Sequence, residues 1–235
     1  MILGEEAEER LADSRVAVFG VGGVGGHACE TLARCGVGRL TIVDSALVKE
    51  SNLNRQLCAE KSTVGMEKTE AMKRRLEAVS DCAVTAVSAF VTSENASSLI
   101  PHDASAVIDA VDNVTAKLSL ILECKRLGIP VFSSMGAGNR LDPTAVRIAD
   151  IYKTSIDPLS RVMRRELKAR GVKSLTVVYS TEEPTKPLIE APDPEQKRST
   201  PGSTPFVPSV FGIALAYAAV REILSGGPDP KGGCS

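Results

Sequence analysis

Short, mostly apolar runs alternate with amphipathic segments along the first 140 residues. Strands that are buried on both faces of a parallel sheet have this composition, and the runs lie at 16–19, 40–43, 83–87, 106–109 and 129–133. The segments between them carry apolar residues at helical spacing, which predicts helices at 24–35, 67–79, 94–99 and 115–127. This order predicts a Rossmann-like, doubly wound α/β fold, with a mostly parallel sheet and helices on both faces.

The pattern changes after Gly136. The elements predicted there are strands at 146–151 and 175–179 around a charged helix at 157–170, a long proline-rich loop at 182–208, an apolar helix at 209–224 and a flexible tail at 226–235. We expect them to extend the sheet as a smaller C-terminal α/β part.

Composition limits the class of protein. A chain of 235 residues with 43% hydrophobic content can bury one sizeable core. A formal net charge of −1 means that a nucleic-acid partner must meet a local basic patch. The six cysteines form no Cys-x-x-Cys pair, which argues against a zinc ribbon or a thioredoxin-type couple. The N-terminus lacks a leader pattern and the most apolar stretch, 210–220, is too short to span a bilayer. We therefore expect a soluble, cytoplasmic enzyme without membrane association.

A glycine-rich turn follows the first predicted strand. Its glycines let the backbone turn tightly and approach a phosphate, whose charge the next helix N-terminus favours; they are Gly20, Gly22, Gly23 and Gly25. Asp44 ends the second predicted strand, at the edge from which a carboxylate binds a ribose. Such turns bind nicotinamide, flavin and adenosine nucleotides alike, so the motif alone does not choose among them.

A cluster of amides and one guanidinium comes next, at Asn52, Asn54, Arg55 and Gln56. This set of donors suits a triphosphate, although an ordinary polar turn has a similar composition. Lys68 lies in the first turn of the following predicted helix, where its charge opposes the helix dipole by roughly 0.3–1 kcal/mol. A bound anion would remove that penalty, whereas pairing with a neighbouring glutamate would explain the lysine by itself.

Asp112 and Asn113 follow the predicted strand at 106–109. Open α/β sheets bind ligands at this carboxyl edge, and a carboxylate there suits a Mg²⁺ ion that bridges phosphates. The alternative is that the Asp-Asn pair only caps the helix that begins near residue 115.

The order of these motifs resembles the ThiF/MoeB/HesA adenylating family, the bacterial relatives of ubiquitin-activating enzymes, over roughly residues 10–140. The resemblance implies one adenylation domain over 1–235, with an ATP-binding half at 1–140 and a substrate-facing, dimer-supporting half at 141–225. It also implies that ATP and Mg²⁺ bind, and that a substrate carboxylate attacks the α-phosphate to give an acyl-adenylate and pyrophosphate.

The resemblance also implies residue roles. Asp44 would hold the ribose, Arg55 and Lys68 the phosphates, and Asp112 the Mg²⁺ ion. Arg55, Lys68 and Asp112 are the implied catalytic residues.

Motifs in the second half are similar to those of the tRNA threonylcarbamoyladenosine dehydratase branch of this family, and they lie at 136–144, 157–159, 179–182, 202–203 and 206–212. This similarity implies adenylation of a small carboxylate carried by a tRNA base. Intramolecular attack then closes a ring with net loss of water, without a thiol carrier.

Two further segments suggest partners. The predicted helix at 157–170 carries four cations at i, i+3, i+4 and i+7, namely Arg161, Arg164, Arg165 and Lys168. Their spacing fits a solvated helix face equally well, and the resemblance favours contact with the tRNA backbone. The apolar helix at 209–224 has too few polar positions for a lone surface helix, so we expect a homodimer in which it lies at or supports the interface. A sulfur-transfer protein is a further expected partner.

Three alternatives stay open at this point. One is adenylation of the C-terminus of a ubiquitin-like or sulfur-carrier protein, against which stand the missing zinc-type cysteine pairs and the lack of a cysteine between Cys124 and Cys234. An NAD-dependent dehydrogenase would leave Arg55 and Lys68 without a shared purpose. An inactive binding module is the third, because relatives usually carry an N-terminal arginine that reaches the neighbouring subunit's ATP, and no arginine precedes Arg10 here.

Overall fold

The strands form one seven-stranded sheet in the computed structural model, which describes residues 3–185 and 202–226. They are β1 Arg15–Phe19, β2 Arg39–Val43, β3 Ala83–Val87, β4 Ala106–Asp109, β5 Val131–Ser134, β6 Val146–Asp150 and β7 Thr176–Ser180. Their order across the sheet is β3-β2-β1-β4-β5-β7-β6. All neighbours are parallel except β6, which pairs antiparallel with β7. The predicted Rossmann-like, mostly parallel sheet is confirmed.

Helices cover both faces of this sheet. They are α1 Glu5–Asp13, α2 Gly25–Arg34, α3 Lys68–Glu77, α4 Ala96–Leu99, α5 Val114–Leu127, α6 Pro158–Ala169 and α7 Phe206–Ser225. The last helix begins three residues before the predicted 209, so 206–208 belong to its first turn and not to the loop. Most of that predicted loop, 186–201, lies outside the described residues, as does the tail from residue 227.

Alternation along β1 explains why helices are needed on both faces. Val16 and Val18 pack into a core with α2, α3 and α7, whereas Ala17 and Phe19 pack into a second core with α5 and α6. Successive strand side chains point to opposite faces, and all four residues are fully buried. Each large apolar side chain buried in this way contributes about 1.5–3 kcal/mol.

The apolar helix α7 is 20 residues long and, by length and composition alone, could span a bilayer. The sequence predicts that the apolar stretch 210–220 is too short to cross a membrane. That prediction is wrong, because the stretch belongs to this longer apolar helix. In the fold, α7 packs against α2 and across strands β4 to β7, and the contact with α2 is close. A Cβ added to Gly212 would lie 2.3 Å from the carbonyl oxygen of Val24 and 2.7 Å from Cβ of His27. α7 thus supports α2, the helix that follows the glycine turn.

The strand order reverses between β1 and β4. Strands on either side of this point lead their loops in opposite directions, which opens a crevice at the carboxyl edge of the sheet. The glycine turn follows β1 and the segment 110–113 follows β4, so both lie at this crevice.

Candidate nucleotide site

A cavity of about 390 Å³ occupies this crevice. The predicted site residues that line it are Gly20, Gly22, Gly23, Asp44, Arg55, Gln56, Lys68, Asp112 and Asn113. They come from segments that are far apart in sequence, and they meet because the parallel strands end at one edge. Gly25, Asn52 and Asn54 do not belong to the lining.

The glycine turn is held by close backbone contacts. Gly20 has a φ of +86°, and a Cβ there would lie 2.6 Å from the carbonyl oxygen of Ala110. A Cβ on Gly25, the first residue of α2, would lie 1.8 Å from the carbonyl oxygen of Gly20. Gly25 therefore lets the start of α2 pack against Gly20, although it does not line the cavity itself. No side chain caps the N-terminus of α2, so this end of the helix can receive an anion.

Asp44 joins the glycine turn to the end of β2. Its Oδ2 accepts a hydrogen bond from the backbone N–H of Val21 at 2.7 Å, and its Oδ1 accepts one from Ala46 at 2.8 Å. Each carboxylate oxygen keeps further acceptor capacity. The side chain is thus fixed in direction while it can still accept hydroxyl donors from the cavity.

Arg55 covers the glycine turn. Its Cγ would lie 3.3 Å from a Cβ on Gly23, so the arginine side chain packs closely over the turn. Its Nη1 donates to the carbonyl oxygen of Ser51 at 2.9 Å and to Oδ1 of Asn54 at 2.8 Å. Burial lowers the pKa of the guanidinium, which nonetheless stays charged at neutral pH. Arg55 therefore places a positive charge at the cavity, and its two hydrogen bonds fix the position of that charge.

The amides around Arg55 divide into two groups. Gln56 lines the cavity. Asn52 is buried, and its Oδ1 accepts from the backbone N–H of Lys49 at 3.0 Å. Asn54 is exposed, and its Nδ2 donates to the carbonyl oxygen of Ser203 at 2.8 Å. The contacts of Asn52 and Asn54 shape the loop and tie it to the segment before α7.

Lys68 and Asp112 bring opposite charges to the cavity. Lys68 is the first residue of α3 and Asp112 is exposed directly before the cap of α5. Within residues 3–185 and 202–226, neither side chain makes a hydrogen bond or ion pair. The predicted capping role belongs to Asn113, whose Oδ1 accepts from Ala116 N–H at 3.0 Å. Asp112 is therefore left available for a ligand.

Sequence reasoning missed two features at this cavity. Phe90 lines it with 59% of its surface exposed, just after β3 ends at the same edge; its position after a predicted strand in a chain with five phenylalanines and no tryptophan was the available signal. The other is a buried ionic group beneath the cavity floor, formed by Asp109, Lys117 and Ser133. A lysine within a helix gives no sign of burial, because lysines are almost always exposed.

Four of the five described cysteines are buried and therefore poor nucleophiles. Burial raises the pKa of Cys58 and of Cys82 to about 11 and of Cys124 to about 12, and it raises the pKa of Cys29 as well. A thiol with so high a pKa is almost entirely protonated at neutral pH, whereas the thiolate is the nucleophile. Cys234 lies outside the described residues.

The cation stripe on α6 is less free than its spacing predicts. Arg164 is half-buried, and its Nη1 donates to the carbonyl oxygen of Thr154 at 3.0 Å and also to the Thr154 hydroxyl. Arg165 pairs with Glu166 at 2.9 Å. Arg161 and Lys168 are exposed, and neither side chain makes an ion pair or hydrogen bond within the described ranges.

The fold is that of a Rossmann-like α/β protein, and the cavity at its sheet edge is the candidate nucleotide site. The ThiF family model matches residues 1–231, and the chain belongs to the ThiF family. The chain is 41% identical to the tRNA threonylcarbamoyladenosine dehydratase of Bacillus subtilis (strain 168), over 95% of this chain and 92% of that protein.

Solved structures extend the similarity to three dimensions. Those of Escherichia coli tRNA N6-threonylcarbamoyladenosine dehydratase in complex with AMP and with ATP are 34% identical, with TM-scores of 0.87 and 0.86. They cover 96% of this chain, and the alignments span 92% and 91% of those chains. The molybdopterin-synthase adenylyltransferase of Salmonella typhimurium (strain LT2) is 37% identical over only 58% of this chain and 54% of its own length.

Proposed function

We propose that this protein is an ATP-dependent enzyme that adenylates the carboxylate of N6-threonylcarbamoyladenosine in tRNA and then closes the cyclic product by dehydration. The observation that carries the proposal is a cavity with a glycine turn, Arg55, Lys68 and Asp112, in a chain that matches dehydratases over more than nine-tenths of its length. The similarity to the dehydratase extends over 95% of this chain, whereas the similarity to the adenylyltransferase extends over 58%.

The residue roles follow from charge and position. The turn at Gly20–Gly23 and the uncapped start of α2 suit the phosphates, and Arg55 and Lys68 supply two cations beside them. Asp44 suits the ribose, because both its oxygens are already oriented by backbone N–H groups. Gln56 and Asn113 line the same cavity. Asn52 and Asn54 hold the loop in place through their hydrogen bonds, and their contact with the nucleotide stays a prediction.

A Mg²⁺ ion fits this donor set. No group of three or more His, Cys, Asp or Glu side chains that could hold a metal occurs in 3–185 or 202–226. Mg²⁺ usually binds through one or two carboxylates together with substrate phosphates, which is what the unpartnered Asp112 carboxylate offers at a phosphate-binding turn. When bound, the ion would neutralise charge on the phosphates, and Asp112 is the residue that would hold it.

The reaction uses ATP as a substrate. A carboxylate oxygen of the modified base attacks the α-phosphorus and pyrophosphate leaves, which converts a poor leaving group into AMP. An atom of the neighbouring carbamoyl group then attacks the activated carbonyl carbon, AMP departs with the former carboxylate oxygen, and a carbamoyl N–H proton is released. The modified base has then lost the elements of one water, whose oxygen leaves on AMP. Arg55 and Lys68 stabilise negative charge that shifts onto the phosphates in the first step.

The alternatives have weaker support. A dehydrogenase would give Lys68 and Asp112 no role in the cavity. Transfer of the acyl group to an enzyme thiol is disfavoured for the described cysteines, because burial raises their pKa values. An adenylyltransferase for a carrier protein is supported by similarity over only 58% of this chain. A sulfur-transfer partner and a cytoplasmic location stay predictions.

A second copy of the chain is the proposed partner of α7. Its outer side exposes Phe206, Ile213 and Tyr217 by 57%, 48% and 54%, at spacings that put them on one stripe. Exposed apolar stripes of this kind mark interaction surfaces. We expect a dimer by light scattering at micromolar concentration, and a monomer after Ile213→Glu. A monomeric wild type would contradict the proposed homodimer.

ATP–pyrophosphate exchange tests the proposed function. We expect exchange that depends on Mg²⁺ and on tRNA carrying threonylcarbamoyladenosine, with unmodified tRNA as the matched control. ATP with Mg²⁺ at a hundredfold excess over its Kd should also stabilise the fold by about 2.7 kcal/mol, and NAD should not. Exchange that requires a carrier protein and ignores tRNA would favour the adenylyltransferase alternative. Stabilisation by NAD alone would favour the dehydrogenase.

A further inference from the structure

Three buried polar side chains lie beneath the floor of the nucleotide cavity. Asp109 ends β4, Lys117 lies in α5 and Ser133 lies in β5, and all three are at most 1% exposed. Oδ2 of Asp109 accepts from Nζ of Lys117 at 2.9 Å and from the hydroxyl of Ser133 at 2.6 Å. Nζ of Lys117 lies 3.3 Å from Oγ of Ser133. We call these residues the buried triad.

The buried triad cannot react with a ligand directly. A serine beside a lysine is a known nucleophilic arrangement, but none of the three side chains lines the cavity. Stability alone also explains such a group poorly, because replacing a buried ion pair by apolar residues of similar volume is often neutral or stabilising. What the pair does supply is a fixed geometry between β4, β5 and α5.

That geometry reaches the cavity through the backbone on both sides of Asp112. On one side, Oδ1 of Asp109 accepts from the backbone N–H of Val111 at 3.2 Å. On the other, the backbone N–H of Lys117 donates to the carbonyl oxygen of Asn113 at 3.0 Å. That second bond is the ordinary first-turn hydrogen bond of α5, and the ion pair between Lys117 and Asp109 ties this turn to β4. Asp112 therefore lies between Val111, which the Asp109 side chain holds directly, and a helix turn that the ion pair anchors, while its own carboxylate has no partner in the described chain.

We propose that the buried triad is a positioning device that aims the Asp112 carboxylate at the Mg²⁺-bound triphosphate. The inference rests on the proposed function, in which Asp112 holds the metal. A carboxylate on an exposed turn would have to be ordered when the metal binds, and the clamped backbone removes part of that entropic cost. Groups that orient a metal ligand typically change metal affinity or activity by about 10–100-fold when they are removed.

Two neighbouring serines on β5 provide a matched test. Ser133→Ala deletes a hydroxyl of the buried triad, whereas Ser134→Ala deletes the hydroxyl of another buried serine, which donates only to the carbonyl oxygen of Met135 at 3.0 Å. The readout is the Mg²⁺ concentration that half-saturates the thermal stabilisation by a fixed concentration of ATP. We expect Ser133→Ala to raise it by about tenfold and Ser134→Ala to leave it within about twofold. The melting temperature without ligand reports folding.

Asp109→Asn is the second variant, since it keeps the shape of the side chain and removes its charge. It should raise the Mg²⁺ requirement at least as much as Ser133→Ala. In an Asp112→Asn background, Ser133→Ala should have no further effect, because the residue being positioned is gone. A purely structural role predicts the same added effect in both backgrounds.

Two different failures have different signatures. If Asp112→Asn raises the Mg²⁺ requirement but folded Ser133→Ala and Asp109→Asn match the Ser134→Ala control, the positioning role is overturned and the proposed function stands. If ATP binding to the wild type is independent of Mg²⁺, or Asp112→Asn leaves the requirement unchanged, the metal-binding role of Asp112 fails and the positioning role fails with it.

Discussion

The nucleotide cavity and helix α6 both gather charged side chains, and they differ in what those side chains already contact. In the cavity, Lys68 and Asp112 have no hydrogen-bonding or ionic partner among the described residues. On α6, Arg164 is bound to Thr154 and Arg165 to Glu166. In the sequence, the residues of both groups are equally well placed for binding, the first at the end of a strand or the start of a helix and the second along one helix face. Only the contacts in the folded structure distinguish side chains that are available to a ligand from side chains that already bind other residues.

The two groups also differ in their surroundings. The cavity charges line a concave site beside the N-terminus of a helix, where a bound anion is favoured. The exposed Arg165–Glu166 pair contributes only about 0–1 kcal/mol. A solvated helix face keeps such a pair at little cost, whereas an unpaired carboxylate beside the proposed phosphate site would suit a cation.

Asp112→Ala gives the largest expected effect. Removing the only unpartnered carboxylate that we assign to Mg²⁺ should lower product formation by at least about 100-fold. Stability should change by less than about 0.5 kcal/mol, because the side chain is exposed. Asp81→Ala is the control, since Asp81 is exposed at the opposite edge, before β3 begins. Wild-type turnover in Asp112→Ala would show that the unpartnered carboxylate in the cavity has no larger role in the reaction than the paired charges of α6.

Lys68→Ala should lower turnover by about 10–100-fold, because one cation beside the phosphates is lost. Its melting temperature should stay unchanged or rise slightly, since a cation at the start of α3 opposes the helix dipole by about 0.3–1 kcal/mol. Lys73→Ala removes the same charge from the middle of the helix, where Lys73 lies 3.8 Å from Glu77. Equal turnover in the two variants would show that Lys68 is only another surface lysine.

The strands of the fold were predicted well from the sequence, because a strand that is buried on both faces has to be apolar. The strands around the glycine turn are apolar because both faces of the sheet are covered, and their predicted bounds agree with β1 to β4 within one residue. The start of α7 was missed because Pro205 and Pro208 suggested a loop. Proline is tolerated in the first turn of a helix, where the backbone N–H has no intrahelical partner. The antiparallel direction of β6 had no signal in residue periodicity.

The site was predictable only in part. Residues that end parallel strands converge on one edge, so the meeting of the glycine turn, Asp44 and Asp112 followed from the strand order. The contacts of Arg164 and Lys117 did not follow. Each depends on a tertiary neighbour, Thr154 for the first and Asp109 for the second, and helical spacing carries no information about either.

Arg164→Ala should act on stability and not on tRNA. Two hydrogen bonds from a half-buried guanidinium to Thr154 would be lost, at a cost of about 1–3 kcal/mol. The neighbouring Arg165→Ala should cost less than about 1 kcal/mol, because its ion pair is exposed. Urea denaturation measures both. If both variants lose equally little free energy of unfolding, the contacts of Arg164 with Thr154 do not stabilise the fold. Arg164 would then count as a free cation, like Arg161 and Lys168.

The smallest expected effect is the loss of the two free cations of α6. Arg161 and Lys168 are exposed and seven positions apart, so they lie on one side of the helix two turns from each other. Each contact with a phosphate contributes roughly −0.7 to −0.9 to the slope of log K against log salt. Arg161→Ser with Lys168→Ser should therefore flatten the slope for tRNA binding by about 1.4–1.8, and not by the larger change that four free cations would give, while ATP binding stays intact. Lys73→Ser with Arg74→Ser removes the same charge from α3 and should leave the slope unchanged. If both pairs of substitutions have the same effect, tRNA responds to net charge alone and α6 is a solvated face.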